Sequence, residues 1–435
     1  MAPLVSPDTP VYVVPAENRI PLSDHLTRMA AIPPSRMFLI KKSLKTYQEH
    51  HPDSPVYDAS QGDGGASLPG VPVEILEQAA RMQIEHGTGY DMPFGTAEYR
   101  RAVVEDYWQL DSDLGYGPAN VVGTAGGRDA LIKAYQAMLA LGHGRQGDVL
   151  VVSRVPWISY NWGPYDVGAN VLLAPGSPEE QWAYSPESLR ACVEFAAREG
   201  RKVAGVVITC PDNPTGRMMP AEEQAALGHA ALEAGAAFVL YDWIYHRVTD
   251  QQPADLNAFL RLFSPAERDR LIFLDGLTKS LGASNIRNAH LIASEEVIRF
   301  IVARASHSVM PTFYGLAVAI AAYNSGYAHA ARTIIEPTNA SRRLLKQFLQ
   351  EHRFRFIIGQ GYYAFIHLGE MLRAHGWADS EPLGQYLAEQ YGLAVVPGAF
   401  FSPFGGEWIR FSYATPPERT LAAAQRLLQA REVSQ

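Results

Sequence analysis

Between about residue 118 and residue 294, short apolar runs alternate with stretches of helical periodicity. Most of these runs are continuous and rich in Val, Ile and Leu, which is typical of strands that are buried on both faces of a sheet. The runs are NVVGT (120–124), DVLVVS (148–153), NVLLA (170–174), VAGVVITC (203–210), AAFVLYD (236–242), RLIFLD (270–275) and AHLIAS (289–294). They predict an α/β fold with a mostly parallel seven-stranded sheet flanked by helices.

Two further patterns complete this prediction of the fold. DALIKAYQAMLAL (129–141) and PAEEQAALGHAALEAG (220–235) have the spacing of amphipathic helices that lie between apolar runs. After about residue 330 the pattern changes to a helix, two strands and a final helix, which indicates a smaller α+β layer. We therefore predict an N-terminal arm with part of a small domain (1–65), a large domain (66–325) and a small C-terminal domain (326–435).

Composition limits the classes of partner. The chain is 47% hydrophobic and 19% charged, as in soluble globular proteins. Its net charge of −8 argues against nucleic acid or an anionic membrane as a partner, because both repel a negative surface. We find no signal peptide and no apolar run long enough to span a membrane. Cys192 and Cys210 are the two cysteines, so we predict a reducing, cytoplasmic location and no metal site.

Ligands of open α/β sheets bind beyond the carboxyl ends of the strands, and the sequence has polar groups there. GTAGGRDALIKAY places Gly126, Gly127 and Arg128 between a strand and a helix, where bare backbone N–H groups can bind an anion. The alternative is a tight turn without a ligand. CPDNPTGR (210–217) presents Asn213 at the end of a strand, and its alternative is also a plain turn.

Three more segments follow apolar runs in the same way. YDWIYHR places Asp242 at a strand end, where a carboxylate is costly unless it is paired or caps the next helix. Tyr245 lies three residues later, near the same face if the turn is helical. Trp157 in VPWISY is a core residue or a platform for a ring. DGLTKSLGASNIRNAH contains Lys279 and, eight residues later, Arg287.

The order and spacing of these segments resemble the fold type I pyridoxal-phosphate (PLP) aminotransferases of class I and II, over about residues 30–430. The most specific pieces are NPTG, then D-x-x-Y about 30 residues later, then Thr-Lys with an arginine at Lys+8. The chain resembles a divergent member. Trp243 replaces a glutamate of the family pattern, Asn285 and Ala289 stand in a run that usually contains glycines, and QGDGG replaces a G-x-P pattern.

The resemblance implies how the ring of PLP is held. Lys279 would form an imine with the cofactor, and Asp242 would pair with its pyridinium nitrogen. Tyr245 and Asn213 would donate hydrogen bonds to the ring 3-oxygen, and Trp157 would stack on the ring. These roles make Lys279, Asp242 and Tyr245 the implied catalytic residues.

The resemblance also implies how the phosphate is held. Gly127, Arg128, Thr278 and Arg287 fall at positions where the family contacts it, which makes 66–325 the PLP-binding domain. Tyr90 in GYDMPFGTAEYR resembles the tyrosine that reaches the phosphate of the neighbouring subunit. A homodimer with shared active sites is therefore implied.

The substrates that the resemblance implies are an amino acid and a 2-oxo acid. Arg410 in WIRFSYA matches the arginine that binds the substrate α-carboxylate, and Gly62 in DASQGDGG lies in the segment that closes over it. Asn213 and Trp157 are further implied substrate contacts. An arginine suits this role because its planar guanidinium can bind a carboxylate through two hydrogen bonds.

Physical chemistry supports these roles separately. An ordinary lysine has a pKa of about 10.4, yet an imine needs a neutral amine. Burial and the nearby Arg287 both favour that neutral form. PLP withdraws electrons only while its ring nitrogen stays protonated, and a buried carboxylate such as Asp242 maintains that state.

We therefore predict a PLP-dependent aminotransferase. One alternative is another PLP-dependent reaction at the α-carbon, such as elimination, cyclisation or oxidation, and the departures at Trp243, Asn288 and QGDGG motivate it. A second alternative is a non-catalytic regulator that binds PLP or another ligand; the retained Lys279 argues against it. A nicotinamide dehydrogenase is disfavoured because GTAGGR does not match G-x-G-x-x-G.

Overall fold

The computed structural model describes Ile32, residues 36–142 and residues 145–434. Residues 1–31, which contain the predicted N-terminal arm, lie outside the described part. Ser35–Gln435 forms one compact unit. None of the helices in the described part is long and apolar enough to cross a membrane.

Thirteen strands form the three sheets of the described chain. In chain order they are β1 (Tyr57–Asp58), β2 (Val121–Thr124), β3 (Val149–Val152), β4 (Asn170–Leu173), β5 (Val203–Thr209), β6 (Phe238–Asp242), β7 (Leu271–Gly276), β8 (Ala289–Ala293), β9 (Phe356–Ile358), β10 (Tyr363–His367), β11 (Leu393–Ala394), β12 (Val396–Pro397) and β13 (Trp408–Ser412). Each of the seven apolar runs that the sequence offers forms one strand from β2 to β8.

Helices precede, separate and follow these strands along the chain. They are α1 (Met37–His50), α2 (Val73–His86), α3 (Ala97–Ala102), α4 (Gly127–Gly142), α5 (Ile158–Trp162), α6 (Pro186–Arg198), α7 (Ala221–Ala234), α8 (Leu256–Leu260), α9 (Pro265–Arg268), α10 (Leu277–Ser280), α11 (Glu295–Ala305), α12 (Phe313–Asn324), α13 (Tyr327–Ala330), α14 (Arg332–Glu351), α15 (Gly369–His375), α16 (Ser380–Tyr391) and α17 (Pro417–Val433). Both helices predicted from amphipathic spacing are present, as α4 and α7.

The central sheet has the strand order β2-β8-β7-β6-β5-β3-β4. Only β8 runs antiparallel to its neighbours, and the other four pairings are parallel. This confirms the predicted seven-stranded, mostly parallel sheet. The carboxyl ends of β2 to β7 therefore meet at one edge, where β8 begins.

Burial on both faces explains why the strands are continuous apolar runs. All seven residues of β5 are buried. Alternate residues enter opposite cores: Val206 packs in the cluster that contains α6 and α7, and Val207 packs in the cluster that contains α4 and α11. Each fully buried Val or Leu side chain contributes about 1.5–3 kcal/mol to folding.

The C-terminal part forms a separate antiparallel sheet with the order β12-β13-β10-β9. In it Phe365 pairs with Arg410 and Tyr363 pairs with Ser412, so Tyr363 and Arg410 share one face. The short β1 pairs with β11, so the segment before residue 65 joins the C-terminal part. One of the two strands predicted after residue 330 is β10, in GYYAFIHL (361–368). It begins only at Tyr363, because Gly361 has a φ of +75°, which is not the extended conformation of a strand.

The loop after β5 is held against the start of β10 at Gly216. This residue has a φ of +73°, and a Cβ atom there would lie 2.1 Å from the backbone oxygen of Tyr363. A side chain is therefore excluded both by the backbone conformation and by the neighbouring strand. Gly216 thereby fixes how closely the two sheets approach beside Asn213.

We expect Gly216→Ala to lower the free energy of unfolding by about 3 kcal/mol or more. Gly200→Ala is the matched control, because Gly200 has a φ of +69° but no atom lies within 4 Å of the place that its new methyl group would take. Gly200→Ala should lower the free energy of unfolding by only about 1–2 kcal/mol, which is the cost of a left-handed backbone conformation for alanine. Urea unfolding of the two variants measures the difference, and equal losses would contradict the packing argument.

Candidate active site

A cavity of about 370 Å³ opens at the carboxyl edge of the central sheet, next to the C-terminal sheet. Eleven of the twelve residues to which the resemblance assigns a role line it: Gly62, Gly127, Arg128, Trp157, Asn213, Asp242, Tyr245, Thr278, Lys279, Arg287 and Arg410. The remaining lining residues were not foreseen: Asp63, Leu131, Tyr160, Ile244, Leu274, Ser284 and Tyr363. Segments far apart in the sequence thus meet where the parallel strands end.

Lys279 extends into this cavity from the short helix α10, directly after β7. Its Nζ donates to the backbone oxygen of Gly62, and the Tyr362 hydroxyl donates to the backbone oxygen of Lys279. Burial lowers the pKa of Lys279 from its usual range, and Arg410 and Arg128 act in the same direction, while Tyr363 and Asp63 oppose them. The amine is thus biased towards its neutral, nucleophilic form.

Asp242 lies at the end of β6 with both carboxylate oxygens engaged. Tyr160 donates to Oδ2 at 2.6 Å, and the backbone N–H of Ile244 donates to Oδ1 at 3.1 Å. Burial raises the pKa of Asp242 to about 6, although Tyr160 and Ile244 favour the ionised form. A turn rather than a helix follows Asp242, so this residue is not a helix cap.

An anion-binding corner lies at the start of α4. The first helical residues, Gly127 and Arg128, present backbone N–H groups at the positive end of the helix. A Cβ on Gly126 would lie 2.4 Å from Nη2 of Arg287, so the guanidinium rests directly against this helix start. The Thr278 hydroxyl is buried without a hydrogen-bond partner among the described residues. These donors together fit a phosphate group.

Trp157 forms one wall of the cavity. Its ring meets Tyr160 edge to face, with the centroids 5.4 Å apart. The Arg128 guanidinium lies over the Trp157 ring, 5.7 Å from its centroid. The side chain of Arg128 therefore extends along the wall, while its backbone belongs to the anion-binding corner.

Arg410 is buried on β13 and has no carboxylate partner in the described part of the chain. Nη1 donates to Asn213 Oδ1 and Nη2 donates to the backbone oxygen of Ser60, both at 2.9 Å. The guanidinium lies 4.2 Å from the ring centroid of Tyr363 and 5.1 Å from that of Phe401. A buried cation without an anion is costly, so this site favours an anionic ligand.

Tyr245 and Tyr363 meet at the floor of the cavity. Their hydroxyl oxygens are 2.9 Å apart. Tyr90, in contrast, lies outside the cavity and is 97% exposed. The described chain therefore does not bring Tyr90 to its own site.

A second cluster of polar side chains is buried in the core near Asp242. Asp275 is the penultimate residue of β7. Its Oδ2 accepts from the Tyr107 hydroxyl and lies 2.8 Å from His246 Nε2. His246, His290 and Tyr107 lower the pKa of Asp275 despite its burial. LIFLD resembles FVLYD in placing an aspartate at a strand end, and that signal was available in the sequence.

Comparison with known proteins identifies the family. The model of the aminotransferases of class I and II matches residues 60–427. The aspartate aminotransferase of Bacillus subtilis is 26% identical over 416 residues, which cover 92% of this chain and 97% of that protein. The aspartate/prephenate aminotransferase of Thermus thermophilus is 27% identical, covering 81% of this chain and 86% of that protein.

Solved structures show the same fold. An aminotransferase from Mycobacterium tuberculosis has a TM-score of 0.79 at 20% identity, covering 96% of this chain and all of that one. The aspartate aminotransferase of Thermus thermophilus with maleate has a TM-score of 0.77 at 24% identity, covering 95% and 100%.

These relatives favour amino-group transfer between an amino acid and a 2-oxo acid over the two alternative readings, another PLP reaction and a non-catalytic regulator. The buried amine, the paired carboxylate and the anion-binding corner are the groups that PLP requires. The chain therefore belongs to the class I and II aminotransferases and is a PLP-dependent transaminase.

Proposed function

We propose that Lys279 is the residue that binds PLP covalently and that its Nζ then moves the substrate α-proton. The observation that carries this proposal is the position of Nζ, held by the Gly62 carbonyl inside the cavity with a lowered pKa. A neutral amine can attack a carbonyl group and can accept a proton. When bound, PLP supplies a sink for the electron pair that the α-carbon releases.

The ring of the cofactor would be held by residues that are already oriented. Asp242 would pair with the ring nitrogen, because Tyr160 and Ile244 fix the direction of its carboxylate. Asn213 accepts from Arg410 through Oδ1, which leaves its Nδ2 as the donor to the ring oxygen. Tyr245 would supply the second hydrogen bond, and Trp157 would cover one face of the ring.

The phosphate would occupy the anion-binding corner. Gly127 and Arg128 would bind it through backbone N–H groups and Arg287 through its guanidinium. Thr278 would bind it through a hydroxyl that has no hydrogen-bond partner in the described part of the chain. At the opposite end of the cavity Arg410 would bind the substrate α-carboxylate. The segment at Gly62 would close over the carboxylate and exclude water. The α-carbon is then held between Arg410 and Lys279.

We further propose a homodimer in which Tyr90 of each protomer reaches the phosphate of its partner. The exposure of Tyr90 and the fact that it does not line the cavity of its own chain support this arrangement. On the composition alone, we keep the cytoplasm as the proposed location and expect no nucleic-acid partner. Two relatives named aspartate aminotransferase make aspartate the first amino acid to test.

A half-reaction assay tests the transaminase directly. The PLP-loaded protein is mixed with aspartate and then with other amino acids, without any 2-oxo acid, and the cofactor is extracted. We expect one equivalent of pyridoxamine phosphate and one of 2-oxo acid per site. Release of ammonia or use of oxygen in place of these products would contradict the function.

Lys279→Ala should abolish turnover, with a loss of about 10⁴-fold or more in kcat, because it removes both the covalent link and the proton carrier. Borohydride reduction followed by mass spectrometry should fix the cofactor on the wild-type peptide that contains Lys279 and on no peptide of the variant. Lys279→Arg is the control that keeps the positive charge, and it should be equally inactive. Normal turnover in either variant would overturn the assignment.

The affinity of the apoprotein for PLP should depend on the ionisation of Asp242. Its pKa of about 6 means that the carboxyl is mostly protonated below this pH, and the protonated form cannot pair with a cationic ring. Affinity should therefore increase as pH rises through about 6, by up to about tenfold per unit below it. The Asp242→Asn variant should lack the rise in affinity that comes from ionisation of Asp242. Any change in affinity that comes from ionisation of the PLP phosphate should remain, because it is common to both proteins. Parallel pH profiles would contradict the role.

Mixed dimers test whether the active sites are shared. Lys279→Ala and Tyr90→Ala protomers are each expected to be weakly active or inactive alone. If Tyr90 acts in the partner's site, a mixed dimer contains one site with both defects and one intact site. Random exchange of equal amounts should restore roughly a quarter of the wild-type activity. No gain on mixing, with exchange shown by differently tagged protomers, would place Tyr90 elsewhere.

A further inference from the structure

Tyr363 contacts two residues of the proposed mechanism but has no role in it so far. It is the first residue of β10 and only 1% exposed, yet its side chain lines the cavity. Its hydroxyl is 2.9 Å from that of Tyr245, and its ring lies under the Arg410 guanidinium at 4.2 Å. The hydroxyl and the ring face thus contact different partners.

The donor in the hydrogen bond between Tyr245 and Tyr363 is determined once Tyr245 donates its own proton to the cofactor. A phenol has a single proton, so Tyr245 can donate to the cofactor only if its own oxygen accepts from Tyr363. A hydrogen bond received by a hydroxyl oxygen makes that hydroxyl a stronger donor. Tyr363 therefore strengthens the hydrogen bond that Tyr245 gives.

The closing segment leaves room for this hydroxyl. A Cβ at Gly62 would lie 2.2 Å from the Tyr363 oxygen. The charged and titratable groups that surround the two phenols are Lys279, Arg410, Asp63, Tyr362 and Tyr413. All five are unchanged in the two Tyr363 variants below, and only the control variant changes Tyr413, so they do not cause the differences expected for Tyr363.

We propose that Tyr363 is a positioning residue with two separable effects on the transaminase. Its hydroxyl orients Tyr245 as the donor to the ring oxygen of PLP, and its ring face holds Arg410 in place for the substrate carboxylate. The proposal rests on the roles proposed above for Tyr245 and Arg410. Tyr363 would thus act on two contacts: the hydrogen bond to the ring oxygen of the cofactor and the binding of the substrate carboxylate.

Two substitutions separate these effects. Tyr363→Phe removes the hydroxyl and keeps the ring, so the pH midpoint of the visible absorbance of the holoenzyme should rise by about half a unit. The midpoint rises because a weaker donor stabilises the deprotonated chromophore less. The affinity for propionate, a plain carboxylate that cannot react, should stay within about twofold of wild type.

Tyr363→Leu removes the hydroxyl and the ring face. The same upward shift of the midpoint should appear, and the Kd for propionate should rise about three- to tenfold in addition. Tyr413→Phe is the matched control, because it removes a buried tyrosine hydroxyl that donates to the backbone oxygen of Gln360 and does not line the cavity. It should change neither the midpoint nor the propionate affinity.

The outcomes distinguish this proposal from the function on which it rests. If the wild type shows a pH-dependent visible band and binds propionate, but Tyr363→Phe has an unchanged midpoint, the Tyr363 proposal is wrong and the function stands. Equal effects of Tyr363→Phe and Tyr413→Phe would also overturn it. A wild type without the band, together with a negative half-reaction assay, would overturn the proposed function itself.

Discussion

A sheet that is buried on both faces presents polar groups to a ligand where its strands end. In this chain β2, β3, β5, β6 and β7 run in the same direction, so their carboxyl ends share one edge. Helix α4 and the loops after the other strands begin there and supply the polar groups of the cavity. The direction of the strands therefore assembles a site from segments that are distant in sequence.

The C-terminal sheet completes the cavity by bringing a second set of groups to that edge. Gly216 allows the loop after β5 to touch the start of β10. Across this contact Asn213 reaches Arg410, and Tyr245 reaches Tyr363. Among the described residues, the buried guanidinium of Arg410 at this junction has no carboxylate partner, which is costly without an anionic ligand. Binding of anionic groups relieves that cost, so ligand binding and stability are linked.

The sequence predicted the sheet well because burial on both faces forces continuous apolar runs. The site residues were predicted wherever a motif has fixed local spacing, as for Asn213, Asp242 and Lys279. Tyr363 was missed because its contact with Tyr245 spans 118 positions and depends on how two sheets pack. Tyr160 lay within a quoted motif, but only the fold turns its hydroxyl towards Asp242. The two boundaries between the three predicted domains remain predictions.

The residues that depart from the family pattern differ in whether their side chains line the cavity. Trp243 directly follows Asp242, and the two side chains point in opposite directions. The Trp243 side chain packs into the core, where its Nε1 donates to Gln224. Asn288 is buried against Tyr99, and Ala289 lies against Gly276. None of these three side chains lines the cavity. QGDGG does reach it, through Gly62 and Asp63. We therefore expect the divergence that affects the substrate to lie in this closing segment, and not among the residues proposed to hold the cofactor.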